Sequence, residues 1–434
     1  MRGYAAPDFF AAFLSQPAPG ELLIRSMYKS DKPKLRVLFA GVSWPLETFN
    51  ARLIRGLAET GLEVTVASAA KPLLNQYLTH PGIRWVHTPR WKVNAAGRLF
   101  RFGWLSTTAL LRSNRDARRF NFYARQNPER GSHFQSLYQL LPFAGRKWDV
   151  IYFPWNSGAI NHLPLFDIDC PVVISCRGSQ INIAPHDPSR AGFADYLRAT
   201  FALATAVHCV SEAIKSEASR YGLDSAKATV IRPAVDLEFF NPAESPRPAR
   251  REFRVVTTGN LVWVKGHEFA LVSMRELIDQ GIDIHYDIIG DGNERQRIEY
   301  TIRDLELESN VRLHGGLDQR QVRNILQQAD VFLLPSLSEG ISNAVLEAMA
   351  CGLPVVTTAC GGMSEAITDG VEGFVVPVRE PKAMAGKLAE LAASAELRNR
   401  MGRAARNRVE SRFSLTSQIK DFCELFQRAK ESRY

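Results

Sequence analysis

The chain has 434 residues, of which 45% are hydrophobic and 23% charged, with 54 Lys and Arg against 45 Asp and Glu for a net charge of +9. This composition is that of a globular protein and excludes collagenous and disordered classes, and the length is too great for one ordinary core, so two or three domains are expected. No run reaches the roughly 18 apolar residues of a membrane-spanning helix, and the six cysteines, which include no Cys-x-x-Cys pair, read as reduced core residues of a cytoplasmic protein.

Residues 1–33 carry acidic residues and several prolines before any strand pattern and are expected to form a loosely ordered extension, poor as a signal peptide. Leu35–Ala40 (LRVLFA) begins the first buried-strand pattern, followed by the loop GVSWPLET and a helix pattern from Phe49 to Thr60 that Gly61 ends. The next strand is EVTVAS. Strand followed by helix followed by strand implies a parallel sheet. Further strands are expected at DVIYFP (149–154), CPVVIS (170–175), AVHCV (206–210) and ATVIRP (228–233).

Between Arg84 and Arg130 stand eleven Lys or Arg against two acids, Asp116 and Glu129, which alone accounts for the excess charge of the chain. Aromatics are interleaved there, among them Trp85, Phe100, Trp104 and Phe122, and Arg112, Arg115 and Arg119 fall on one face of a predicted helix. Such a region serves an anionic membrane surface or a phosphate-linked acceptor, a solvated face, or nucleic acid. No nucleic-acid motif accompanies it, so no nucleic-acid partner is expected.

Residues 241–252, rich in Pro and charge, read as a linker between a domain at 34–240 and a second at 253–412. A second strand series follows: FRVVTTGN, HYDIIGDG, NVRLHGG, ADVFLLP, LPVVTT and GFVVP, alternating with helix patterns. A last helix pattern, Leu415 to Lys430, is expected to lead residues 413–434 back to the first domain. The loop GNLVWVKG carries Lys265 between glycines at a strand end, a position suited to phosphate. IIGDGNER lacks the third glycine and later acid of a dinucleotide fingerprint and is weak alone. The nine histidines form no HxxxH or Cys/His cluster, so no metal is expected.

The most informative stretch is PSLSEGISNAVLEAMACGLPVVTTACGGMSEAITDGVEGFVVP, from Pro335 to Pro377. A strand pattern ending at Leu334 precedes the loop Ser338–Gly340, which feeds a helix; Gly352 and Pro354 end it before another strand. The free N–H groups of Ile341, Ser342 and Asn343 at the helix start favour an anion or a polar sugar. Glu339 stands at its mouth and Glu347 two turns in. Two acceptor-only carboxylates beside a positive helix end suit a ligand with hydroxyls and phosphate. A nucleotide-sugar has both.

This run, with GISNAVLEAMACGLPVV, CGGMSEAI and DGVEGFVVP in order, resembles the two-glutamate signature of retaining glycosyltransferases of family 4 (group 1), and the resemblance extends from about Leu35 to Phe413. It implies an α/β protein of the GT-B fold, with two Rossmann-like domains facing across a central cleft. It implies a nucleoside-diphosphate sugar as co-substrate with no other cofactor and no metal, and a glycan or lipid-linked acceptor of cell-surface polysaccharide or glycolipid synthesis. The enzyme would then work at the inner face of the cytoplasmic membrane, on which 84–130 would bear. By the same resemblance Glu347 holds the donor ribose, Lys265 and the amides of Gly340, Ile341, Ser342 and Asn343 hold the diphosphate, and Glu339 orients the sugar. Gly41 lets the donor approach the first domain, Gly290 lies in a loop near the donor, and His314 lies in the base-binding loop, where it either packs or touches the base. Two positions depart from the family pattern. Asn260 stands where an Arg of the phosphate clamp is usual, and Arg177 in CRGSQIN stands where many relatives have His; an arginine there can stabilise a phosphate but cannot act as a base at neutral pH. Those departures keep open a catalytically degenerate protein that binds nucleotide-sugar as a scaffold. The other alternative is a GT-B sugar-nucleotide epimerase, which needs extra acid–base residues in the cleft, and the sequence shows no clear set of these.

Overall fold

The computed structural model describes residues 34–43, 46–70, 80–88, 95–126, 133–160, 162–166, 168–244 and 252–432. The expected extension 1–33 and most of the linker, 245–251, lie outside the described residues, as do 89–94 and 127–130 of the basic region.

The apolar, β-branched runs form two all-parallel sheets. In the first, β1 (Arg36–Phe39), β2 (Glu63–Ser68), β3 (Ile83–His87), β4 (Val150–Phe153), β5 (Val172–Cys176), β6 (Ala206–Cys209) and β7 (Ala228–Val230) lie in the order β3-β2-β1-β4-β5-β6-β7. In the second, β8 (Phe253–Thr258), β9 (Ile284–Ile289), β10 (Val311–Gly315), β11 (Val331–Leu334), β12 (Val355–Thr358) and β13 (Gly373–Val376) lie in the order β10-β9-β8-β11-β12-β13. Both orders reverse direction beside their first strand, which opens a crevice at the carboxyl ends of the strands where such sheets bind ligands. Central strands such as VIYF and VFLL are buried throughout, because helices cover both faces of a parallel sheet.

β3 has no counterpart among the expected strands. Its sequence, IRWVH, mixes buried and exposed positions, as an edge strand with one wet face does. The basic stretch also departs from expectation. One helix, Ala95–Arg112, ends where the next, Asn114–Gln126, begins, because the Ser113 hydroxyl accepts the N–H of Asp116 at 3.2 Å and caps the second helix. Arg112 therefore closes one helix while Arg115 and Arg119 belong to the other, and the three do not form one helical stripe.

The chain passes between the domains as two adjacent extended segments, joined by a parallel bridge of Val235 to Ser414. Phe239 and Phe240 already belong to the second core, their carbonyls held by Arg323 at 3.3 Å and Arg406 at 2.9 Å. The last helix, Leu415–Glu431, packs on the first sheet through Ile419, Phe422 and Phe426, in one cluster with Tyr152 and Phe39. Gly56 permits this: a Cβ there would stand 2.1 Å from the Ile419 Cδ1.

Candidate active site

The facing rims of the two sheets meet at glycines. A Cβ on Gly178 would stand 2.7 Å from the Gly340 nitrogen, and one on Gly361 would overlap the Glu339 carbonyl at 1.8 Å. The segment Glu339–Gly340 is thus threaded between a loop of the first domain and a loop of its own. Asn182 of the first domain adds two bonds across the gap, donating to the Ser338 hydroxyl at 3.0 Å and the Glu339 carbonyl at 3.3 Å. This is a polar, backbone-lined junction rather than an apolar seam.

Lys265 ends a single 3-10 turn, Trp263–Lys265, closed by Gly266 in the left-handed region at φ 63°. A side chain at Gly266 would run into the Pro335 carbonyl at 2.3 Å, so the turn is pinned against the signature loop. Lys265 Nζ donates to Glu339 Oε1 at 2.5 Å, and the Ser336 hydroxyl donates to the same oxygen at 2.8 Å. Among the described residues Glu339 Oε2 has no partner, and the ammonium has donors to spare beyond the one Glu339 takes. The pair holds one charge of each sign at one point, with an acceptor and donors still unused.

The helix Asn343–Ala350 begins beside this pair. No group among the described residues accepts from the N–H of Ile341, Ser342 or Asn343, and the buried Asn343 Oδ1 also lacks a partner. Unpaired buried polar atoms are uncommon unless a ligand or water meets them. Two turns along, Glu347 is largely buried, and burial pushes its carboxyl up to about 7 although the charge of Arg52 opposes this. Arg52, on the first-domain helix Thr48–Glu59, brings its Nη1 to 4.0 Å from Glu347 Oε1. Sequence reasoning misses Arg52: nothing local distinguishes it, and its partner lies far along the chain in the other domain.

The other expected residues divide. Asn260 is exposed just past the end of β8, on the loop leading to Lys265. His314 Nε2 lies 2.6 Å from Asp287 Oδ1, with His285 at 3.2 Å from the same oxygen. Burial opposes ionisation of Asp287, but the hydrogen bonds of His285 and His314 outweigh it and hold the carboxyl below its ordinary range. The His314 ring is therefore anchored, with one nitrogen occupied. Gly290 and Gly41 serve backbone contacts: a Cβ would stand 1.8 Å from the Gly259 carbonyl at the first and 2.8 Å from the Gly158 Cα at the second. Arg177 lies at the junction by its backbone, but its guanidinium turns into the first domain. It stacks 3.9 Å from the Phe49 ring centroid and 5.4 Å from that of Trp155, and its Nε donates to the Pro154 carbonyl at 3.1 Å. Burial holds it below the usual arginine range. Among the described residues no ion pair joins Arg177 to Glu339 or Glu347.

Among the described residues no group of three or more His, Cys, Asp or Glu side chains converges as a metal site, and no helix is long and apolar enough to cross a membrane.

Comparison with known proteins accords with this fold. A model for group 1 glycosyl transferases matches residues 242–408, and one for glycosyltransferase family 4 matches residues 46–239. The chain is 32% identical over 213 residues to the amylovoran biosynthesis glycosyltransferase AmsK of Erwinia amylovora, covering 48% of this chain and 52% of the relative. It is 33% identical over 186 residues to WcaL of Escherichia coli K12, named as a putative colanic acid biosynthesis glycosyltransferase, covering 42% and 46%. The matched segments thus span about half the length of these relatives. Among solved structures, HepE of Anabaena in complex with UDP-glucose superposes with a TM-score of 0.66 at 16% identity, covering 91% of this chain and 99% of that one. A glycosyltransferase of Rickettsia africae superposes at 0.67 and 17%, covering 92% and 99%. The likeness to these structures establishes the GT-B fold.

Proposed function

The chain belongs to the group 1, family 4 glycosyltransferases, and on that premise we propose that it transfers a sugar, with retention, from a nucleoside-diphosphate sugar to a glycan or lipid-linked acceptor of surface polysaccharide synthesis. The observation that carries this reading is the Lys265–Glu339 pair, 2.5 Å apart, set beside a helix start with unpaired N–H groups.

In this reading Glu347 accepts the ribose hydroxyls, which needs its carboxylate form. Lys265 keeps Glu339 in place through one proton and gives its other donors to the diphosphate, joined by the amides of Ile341–Asn343. The free Oε2 of Glu339 accepts a sugar hydroxyl. The bond from the anomeric carbon to the phosphate oxygen breaks, and the acceptor oxygen bonds to that carbon on the same face. The acceptor proton passes to the departing phosphate, and the nucleoside diphosphate leaves. No protein nucleophile takes part. Fixed cations and dipoles aimed at a developing charge are worth about 3–4 kcal/mol when one donor is lost. Arg177, caged by Phe49 and Trp155, positions the first-domain loop bearing Gly178 in this account.

The acceptor side carries a second feature. On the helix Ala95–Arg112, Leu99, Phe100, Trp104 and Leu111 are 72%, 80%, 67% and 83% exposed, with Arg98 and Arg101 beside them. Monomeric soluble proteins rarely leave such a stripe in water, and apolar residues flanked by arginine suit an anionic membrane interface. We assign this face to the membrane that holds a lipid-linked acceptor. The test of the function is turnover of UDP-, GDP- and ADP-sugars with anomeric configuration followed by NMR. Retained configuration with acceptor-dependent turnover is expected; turnover without acceptor points to an epimerase or hydrolase, and binding without turnover to a scaffold.

A further inference from the structure

Against the helix Ala95–Arg112 lies a pocket of about 380 Å³, whose lining includes Arg101, Arg112 and Arg146 with His87, Trp104 and Leu105. Among the described residues no carboxylate lines it, and none of the three arginines makes an ion pair. Of the acids nearest along the chain, Asp116 accepts the N–H of Gly145 at 2.9 Å and Asp149 pairs with Arg36 at 3.2 Å. Like charges gathered without a counter-charge repel one another. Partial burial and the Arg112 charge hold Arg146 below the usual arginine range, and partial burial with the Arg101 charge lowers His87 in the same way. An anion in the pocket relieves both effects, and the planar forks of several arginines match the oxygens of phosphate.

The walls indicate what the anion is attached to. Trp104 and Leu105 form an apolar side, and Trp104 is 67% exposed on the stripe already assigned to the membrane. A ligand with a charged head here has an apolar route outward along Trp104. His87 ends β3 on the same carboxyl-end rim of the sheet that carries Gly41 and Arg177, two strands from β1, or roughly 10 Å. That separation leaves room for sugar between a phosphate in the pocket and a hydroxyl at the reacting centre.

We propose that this pocket binds the phosphate or diphosphate of a lipid-linked acceptor, with Arg101, Arg112 and Arg146 as its ligands and the lipid chain leaving past Trp104. The proposal rests on the reading of the chain as a transferase with a lipid-linked acceptor, but its test does not depend on turnover. Binding of farnesyl diphosphate to the full chain is measured by calorimetry, with farnesol and inorganic pyrophosphate as single-feature probes. Arg101→Gln with Arg146→Gln is expected to weaken farnesyl diphosphate roughly tenfold or more, the loss of one or two charge-assisted contacts, while leaving nucleotide-sugar binding unchanged; Arg101→Gln alone, at an exposed position, gives a smaller loss if the double variant does not fold. Farnesol is expected not to bind, and pyrophosphate to bind more weakly than farnesyl diphosphate. The proposal is overturned if the variants bind farnesyl diphosphate as wild type does, if farnesol binds equally well, or if the variants lose only their affinity for phosphatidylglycerol vesicles, in which case the arginines read the membrane surface. Failure of every nucleotide-sugar to bind, with farnesyl diphosphate binding intact, removes the donor reading and leaves the pocket standing.

Discussion

The second domain presents its charges to the cleft already paired and mostly shielded, Lys265 on Glu339 and Glu347 within reach of Arg52. The first domain sends Arg52 toward Glu347 but turns Arg177 away into an aromatic cage, and it exposes basic and apolar surface on the helix Ala95–Arg112. The contrast matches the proposed division of labour. A diphosphate and a ribose are small and constant, and are best met by side chains whose positions are fixed before binding. A lipid-linked acceptor at a membrane is large and variable, and is met by exposed area and charge. The seam between the two carries polar contacts and closely approaching glycines.

Four perturbations test that contrast, in descending size of effect. Lys265→Ala removes the cation from the donor side and leaves Glu339 with the Ser336 hydroxyl but without its counter-charge. Its kcat/KM is expected to fall by roughly 10²–10³, with kcat carrying most of the loss; a drop under about threefold breaks the contrast at its strongest point.

Glu347 sharpens it through pH. Burial raises its folded-state value from 4.5 to about 7, so folding favours the protonated acid. That stability is fully present below the unfolded value and is lost as pH rises through about 7, on the order of 3 kcal/mol in all. Donor binding runs the opposite way, since ribose hydroxyls need the carboxylate. Nucleotide-sugar affinity is expected to rise severalfold between about pH 6 and pH 8, and Glu347→Gln to flatten both profiles. Calorimetry and thermal unfolding across that range provide the check.

Asn260→Arg restores the charge usual in the family at an exposed site on the Lys265 loop. Donor affinity is expected to improve by about 1 kcal/mol, the margin of a charged over a neutral hydrogen bond, as read by titration. A weakened donor would show that Asn260 does not face the diphosphate.

Leu111→Glu probes the opposite region. At an 83% exposed position the fold is expected to change by no more than about 0.5 kcal/mol, while sedimentation with anionic vesicles falls. Unchanged vesicle binding removes the membrane assignment without touching the donor side.

The second domain is more legible in the sequence than the first, and the reasons are physical. Strands buried on both faces are continuous apolar runs, so VIYF and VFLL declare themselves, whereas the edge strand IRWVH does not. Glu339, Glu347 and Lys265 sit at strand–loop–helix junctions whose glycines and prolines punctuate the chain. By contrast the Arg52–Glu347 approach, the cage around Arg177 and the pocket of Arg101, Arg112 and Arg146 join residues far apart along the chain or on separate elements. Only the assembled sheets bring them together. The Ser113 cap, a single hydroxyl, is enough to divide what periodicity presents as one basic helix face.

Whether Glu347 and the Lys265–Glu339 pair form a nucleotide-sugar pocket is tested most directly by thermal unfolding of wild type and Glu347→Ala with saturating UDP-, GDP- and ADP-sugars. At about a hundred times its dissociation constant a ligand adds roughly 2.7 kcal/mol, and one base class is expected to raise the melting temperature of wild type by a few degrees and that of the variant far less. Equal shifts in both proteins, or no shift with any donor, would contradict the account.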